Sequence, residues 1–394
     1  MATLEADAVE DGMRTVLISG AGIGGTTLAY WLARHGFETT VVERAAGLRS
    51  SGSPVDVRGP AVEVAERMGV LERLRDAATT ARGMSFVNDS GRRVGGVNTG
   101  ALQRAWGSRE VEITRTDLAT VLYEASRDSA EYLFGDSMTA IGQDGDGVEV
   151  TFEKAEPRRF DLVIGADGLH SMTRRLVFGP EDRFVRHMGL YVATMPLDGP
   201  AEEAKSVVIH NSPGRMVAVH PVRGRALAAF IFRSPEVAGF DHRDLRQHKR
   251  ILADAYAGAG WRVPGLLDQA MAAEDLWLDS VSQVRIDRWH DGRVALLGDA
   301  ASSVSLFGEG STLAMAGAYT LACELAAAPD GAFARYEAAH RALVTPKQNN
   351  AATAATLMVP ASRAGIATRN LASRLWPAAA ATGWVRGRLT RAVA

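Results

Sequence analysis

An apolar run, Val16-Leu17-Ile18, leads directly into the turn Gly20-Ala21-Gly22-Ile23-Gly24-Gly25, an apolar-periodic segment that stops at Gly36, and a second apolar run ending at Glu43. Strand, glycine-rich turn, helix and acid-terminated strand, in that order, are what a dinucleotide-binding βαβ unit requires. Gly20 permits the tight turn, Gly22 lets the backbone approach a pyrophosphate, and Gly25 lets the helix pack closely on the sheet. The helix start offers N–H groups and a positive dipole end to the phosphates. Glu43 falls where a carboxylate accepts ribose hydroxyls. The chain holds 40 glycines, so the triplet alone carries little, and its place between strand and helix carries the reading.

With 394 residues, 46% of them hydrophobic, the chain can bury a large core, enough for about two or three domains. A formal net charge of −2 gives no global field toward nucleic acid. Glu5, Asp7, Glu10 and Asp11 crowd a start that lacks the basic and apolar regions of a signal peptide. No apolar run approaches the ~20 residues of a membrane span. The single cysteine, Cys323, excludes an internal disulfide and falls among Leu321, Ala322 and Leu325, as a packed thiol does. Together these predict a cytoplasmic protein acting on a small molecule, with monomer or dimer left open. The 9 histidines form no His-x-x-x-His or His-Glu-x-x-His pattern, so no metal site is expected, and no nucleophile elbow supports a hydrolase.

Two further segments narrow the dinucleotide. Residues 161–174, DLVIGADGLHSMTR, read as a strand ending in Gly165-Ala166-Asp167-Gly168, then Ser171 and a basic helix start. Residues 293–321 read as a buried strand at Val294–Leu297, the pair Gly298-Asp299, a loop, and Gly308-Glu309-Gly310 opening a long alanine-rich helix. With the glycine-rich unit, in this order and at these separations, the chain over residues 14–345 resembles the FAD-dependent monooxygenases of the p-hydroxybenzoate hydroxylase type. That family includes aromatic polyketide hydroxylases and tetracycline-inactivating enzymes.

The resemblance implies an α/β fold: a discontinuous Rossmann-like FAD-binding domain, an antiparallel-sheet substrate domain and C-terminal helices. It implies that Gly20, Gly22 and Gly25 cradle the pyrophosphate, Glu43 meets the adenosine ribose and Asp299 the ribityl chain. The turn of Gly308, Gly310, Ser311 and Thr312 would present backbone N–H groups to the flavin ring, and Arg115 would stand beside FAD. Arg44 and Arg58 suit either adenosine or phosphate contacts or a solvated surface. Asp167 is expected to shape its own turn. Since no second glycine-rich fingerprint follows a strand, NAD(P)H would meet the flavin transiently. The implied reaction is hydroxylation or oxidation of an aromatic or polyketide-like natural product with O2.

Three departures stand out. The stretch Ser302-Ser303-Val304-Ser305-Leu306-Phe307 lacks the family's proline and is one residue shorter, and Glu309 replaces the usual glutamine. These changes touch the loop against the flavin face and keep open an alternative on the same scaffold, a redox-neutral FAD-containing cyclase performing [4+2] chemistry. Glu309 reads equally as a group near flavin or substrate and as a helix-start carboxylate complementing the dipole.

Along the chain the expected division is an FAD-binding part over 14–180, with an excursion over 83–112 toward the substrate region. A substrate sheet over 181–284, a second FAD-binding part over 285–345 and a helical tail over 346–394 follow. Helices are expected near Pro60–Met68, Arg115–Arg127, Asp244–Ala257, Val263–Met271, Thr312–Ala328 and Phe333–Leu343. Met216, His220, Phe230, Phe232 and Phe307 are substrate-contact candidates; period-two aromatics also serve as core, and His220 before Pro221 also suits a structural role. Glu309 and His220 are the candidate acid–base groups. Residues 338–394 hold no acid, which suits a terminal helix laying Leu371, Leu375 and Trp376 on the nucleotide domain with arginines in water. A basic tail of this kind also suits a membrane surface or an acidic partner.

Overall fold

The structure is a computed structural model that describes residues 15–48, 52–98, 109–304 and 309–374. Thr15–Ser19 sits inside a six-stranded sheet with Leu162–Gly165 on one side and Glu38–Glu43 on the other, all parallel. Val294–Leu296 and Glu131–Phe134 extend it in parallel, and the short strand His290–Asp291 closes one edge antiparallel. Thr15–Ser19, Leu162–Gly165 and Val294–Leu296 are almost wholly buried apolar runs, as strands covered on both faces must be. One cover is the helix pair Ile23–Arg34 and Gly310–Ala327, which pack on each other. The other is the three-stranded antiparallel sheet of Met138–Gln143, Val148–Phe152 and Arg158–Phe160, whose inward residues Val148, Val150 and Phe152 alternate with exposed ones.

A second, seven-stranded sheet runs in the order Trp277–Val284, Val185–Leu197, Arg225–Arg233, Arg215–Val222, Val207–Ser212, Met84–Val87, Arg93–Val97. It is antiparallel except where Val207–Ser212 meets Met84–Val87. Residues 83–98 thus cross over and pair into this sheet. Strand alternation splits its two faces. Phe230, Phe232, Val217 and Val219 pack under the helices Leu245–Ala255 and Val263–Ala272, while Met216, Ala218, Leu227 and Ile231 face Ala355 of the last long helix and Val359 just beyond its end.

That helix, Ala332–Met358, runs straight through Pro346, where the sequence reading expects a stop near Leu343. Val344, Gln348, Ala351 and Ala355 are buried on either side of the proline, and this packing outweighs one lost backbone hydrogen bond. The final described helix, residues 363–374, also departs from expectation. Leu371 is 57% exposed, and the helix docks on the seven-stranded sheet, not on the nucleotide-binding half. Arg369 lies over the Phe86 ring at 3.8 Å and donates to Asn211, and Arg374 donates to the Val94 carbonyl. Leu375 and Trp376 lie outside the described residues. No helix among the described residues is long and apolar enough to cross a membrane.

Candidate functional site

A cleft opens at the carboxyl ends of the parallel strands, where the strand order runs outward in opposite directions from Thr15–Ser19, the place at which such sheets bind ligands. Each strand end contributes a turn to it. Gly20 to Gly24 follow the first strand, Glu43 and Arg44 the second, Ala166 to His170 the third, and Leu297 to Asp299 the fourth. Gly310, Ser311 and Ala314 enter from the start of the Gly310–Ala327 helix, and Arg115 from the start of Arg115–Ser126.

The glycines of the first turn have separable jobs. Gly20 adopts φ +105°, and a β-carbon there would lie 2.5 Å from the Ala166 carbonyl oxygen. A β-carbon on Gly25 would lie 1.9 Å from the Gly20 carbonyl oxygen. Both are required by the protein's own packing. A β-carbon on Gly22 would meet nothing within 4 Å, so the open space before it faces the cleft. Gly22 is also the N-cap of Ile23–Arg34 and supplies no side-chain cap. The first N–H groups of that helix therefore point at a ligand position, as a pyrophosphate needs. The residues present fit a dinucleotide.

Glu43 lines the cleft, but its two carboxylate oxygens already accept from the backbone N–H of Ala21 at 3.0 Å and Ala45 at 2.8 Å. It braces the glycine turn and retains lone pairs for a hydroxyl. Burial pushes the Arg44 guanidinium down, with Arg243 adding to the effect and Glu43 and Asp167 opposing it. Asp299 begins a short helix after Gly298 at φ +62°, and its carboxylate stands 3.9 Å from Arg115 across the cleft. Asp167 accepts from Ser19, Ser171 and both the N–H and hydroxyl of Thr173, which fixes its turn as expected from its sequence setting.

Other expected contacts lie elsewhere. Arg58 pairs with Asp56 at 2.7 Å and does not line the cleft. Thr312 spends its hydroxyl between the Asp56 carbonyl and the Arg58 N–H, leaving only its place in the helix start for a ligand. Phe230 and Phe232 are buried with Tyr256 on the helix-covered face, away from the residues that line the cleft; strand alternation was legible, but not which face would be covered. Phe307 and Gly308 lie outside the described residues. Glu309 takes a left-handed φ of +87° at the N-cap of Gly310–Ala327 and pairs with Lys347. Cys323 is half-buried, not a core thiol.

Met216 and His220 share the face opposite Phe230 by alternation. A short relay ties that face to the cleft. His220 stands opposite Leu227, Leu227 meets the space before Gly52, and the carbonyl of neighbouring Ser53 accepts from the Arg115 N–H at 2.9 Å. The Nδ1 of His220 is buried with no hydrogen-bond partner among the described residues, and burial pushes the ring down to about 4, so it is neutral at ordinary pH.

Sequence reasoning missed Asp136 and His170, which also line the cleft. Burial works to raise the Asp136 carboxyl, but four backbone N–H donors, from Ser137, Glu153, Lys154 and Ala155, outweigh it and hold the group low. His170 hydrogen-bonds Glu181 at 2.9 Å and Asp279 at 3.2 Å and stacks on His242 with centroids 3.9 Å apart. Burial opposes its charge, yet the two carboxylates prevail and raise it to about 9. Its place in the DGLHS segment was the available signal.

The model of the family described as FAD binding domain matches residues 13–352. The chain belongs to this family. It is 34% identical over 346 residues to a flavin-dependent monooxygenase of Legionella longbeachae, covering 84% of this chain and 86% of that one. It is 43% identical to an uncharacterised protein of Mycobacterium tuberculosis, over 85% and 92% of the two chains. The crystal structure of the tetracycline destructase Tet(55) superimposes with a TM-score of 0.80 at 30% identity, covering 93% of this chain and 97% of that one. The chain is an FAD-dependent monooxygenase with the p-hydroxybenzoate hydroxylase fold, and NAD(P)H is the co-substrate typical of the family.

Proposed function

We propose that this monooxygenase places one atom of O2 into a small aromatic or polyketide-like molecule bearing an acidic phenol or enol. The overall balance is substrate, O2, NAD(P)H and a proton giving oxygenated substrate, water and NAD(P)+. Bound FAD supplies hydride acceptance and oxygen activation. The chain's own residues bind and orient. The Gly22 turn and the Ile23–Arg34 helix start hold the pyrophosphate, Asp299 accepts from ribityl hydroxyls, and Glu43 holds the ribose end. His220, held neutral by burial of its ring, stands part-exposed on the Met216 face of the sheet, where the edge of the ring away from the buried Nδ1 would meet a substrate O–H.

The observation that carries the reading is the Gly22 space, Asp299 and the Gly310 helix start meeting in one cleft. The substrate class is supported by the neutral histidine and by the likeness to an enzyme named for destroying tetracycline. The test is oxygen uptake and NADPH oxidation by the FAD-loaded protein against a panel of phenols, anthraquinones and tetracyclines. A product carrying label from 18O2, formed one-to-one with NADPH consumed, is expected from at least one of them. NADPH consumption that no panel member accelerates, with no label incorporated, would sink the substrate class.

A further inference from the structure

Glu309 brings a carboxylate to the start of the helix whose first residues, Gly310, Ser311 and Ala314, line the flavin cleft. A helix start favours negative charge on a ligand, and a carboxylate fixed there works against that preference. The residue also occupies a left-handed conformation that an ordinary side chain adopts only under constraint.

The constraint comes from a single helix, Ala332–Met358. Lys347 pairs with the Glu309 carboxylate. Its neighbour Gln348 donates to the Ser303 carbonyl at 3.0 Å and the Val284 carbonyl at 2.9 Å, and its own carbonyl accepts from Gln283 at 2.8 Å. Two consecutive residues therefore grip the chain just after the Asp299–Ser302 helix and just before Gly310. With side chains 38% and 27% exposed, the Lys347–Glu309 pair contributes little to stability, so stability alone does not account for it.

We propose that Lys347 is a positioning residue that acts through Glu309 to set how readily flavin in the cleft accepts electrons. Its ammonium cancels the field of the carboxylate and restores the attraction of the helix start for negative charge. The inference rests on the flavin-monooxygenase reading. Hydride transfer breaks a C–H bond of the dihydronicotinamide, and the electron pair leaves with the proton. The neutral flavin gains two electrons and one proton, hence one negative charge, while the nicotinamide ring becomes a cation. A bare carboxylate beside the cleft disfavours that product, and a neutralised one does not.

The experiment is an anaerobic redox titration of FAD-loaded wild type, K347M, K347R, E309Q and the K347M/E309Q pair against a reference dye. K347M is expected to hold about tenfold less reduced flavin at a given dye potential, a shift of about 30 mV for a two-electron couple. K347R should stay near wild type. E309Q should move several-fold the other way, because Lys347 is then uncompensated, and adding K347M to E309Q should produce no fall below wild type. K347M within twofold of wild type, or a K347M/E309Q pair that holds about tenfold less reduced flavin than wild type, overturns the proposal. If K347M does not fold, E309Q decides: a reduced fraction equal to or below wild type overturns it. Wild type that takes up no FAD is a different failure, since it removes the flavin reading and this inference with it.

Discussion

A β-carbon added at Gly22 meets open space, whereas one added at Gly25 would press within 1.9 Å of the Gly20 carbonyl oxygen. The two glycines therefore answer to different partners, and substitution separates them. Gly22→Val should leave the flavin-free protein melting as wild type does, yet weaken FAD binding roughly tenfold or more, about 1.4 kcal/mol. Gly25→Val should instead destabilise the flavin-free fold by at least ~1–3 kcal/mol through overpacking. A melt without FAD and a flavin fluorescence titration on each variant distinguish these outcomes. Gly22→Val filling with FAD at wild-type affinity would show that the pyrophosphate lies elsewhere. Asp299→Ala is expected to lose flavin occupancy without loss of fold, because its carboxylate faces the cleft and Arg115 and bears no core packing. These residues were legible in the sequence because each acts within a few positions of a strand end. Glu43 was legible as a residue near the site, but its grip on Ala21 and Ala45 N–H was not, since side-chain partners depend on how the turn closes.

Between elements, the crossing of Gly310–Ala327 with Ala332–Met358 is set by Gly317, over which His340 lies so closely that a β-carbon would stand 2.8 Å from Nε2. Both ring nitrogens of His340 are buried without partners among the described residues, and burial pushes the ring down to about 4. Unfolded, the same ring titrates near its ordinary 6.5. The unfolded chain therefore binds more protons between those values, and stability falls as pH drops from 6.5 toward 4. The contribution is on the order of 2–3 kcal/mol. His340→Leu should flatten that acid limb of a urea-denaturation series, and Gly317→Ala should destabilise by about 1–3 kcal/mol at neutral pH. An acid limb unchanged by His340→Leu would place the titrating group elsewhere. Helix periodicity revealed both helices but not this contact, and Pro346 argued locally for a break that packing at Val344 and Gln348 overrides.

Across the whole molecule, the parallel-sheet half and the seven-stranded sheet meet at His170, which lies 109 positions from its partner Asp279. No periodicity or motif reports a pairing at that separation; only the way two sheets pack brings a histidine after Gly168 against Asp279 and the loop holding His242. The groups facing His170 are Glu181, itself flanked by Arg174 and Arg175, then Asp279, and His242 beside Arg243. The two carboxylates keep His170 charged, while burial, with His170 itself adding to the effect, pushes His242 down to about 4. Because the folded His170 titrates near 9 and the unfolded ring near 6.5, its stabilisation is complete below 6.5 and disappears as pH rises through 9. His340 and His220 act in the opposite sense over 4 to 6.5, so these histidines together confer a stability maximum near pH 6.5. His170→Gln should abolish the alkaline limb, leave the acid limb in place, and cost on the order of 2–3 kcal/mol near pH 6.5. Limited proteolysis at pH 9.5 should then cut wild type and the variant alike, because by that pH the His170 charge is largely gone from wild type and is absent from the variant. A variant that kept the wild-type alkaline limb would mean that the junction is held by packing alone, with the His170 charge contributing nothing to the union of the two halves.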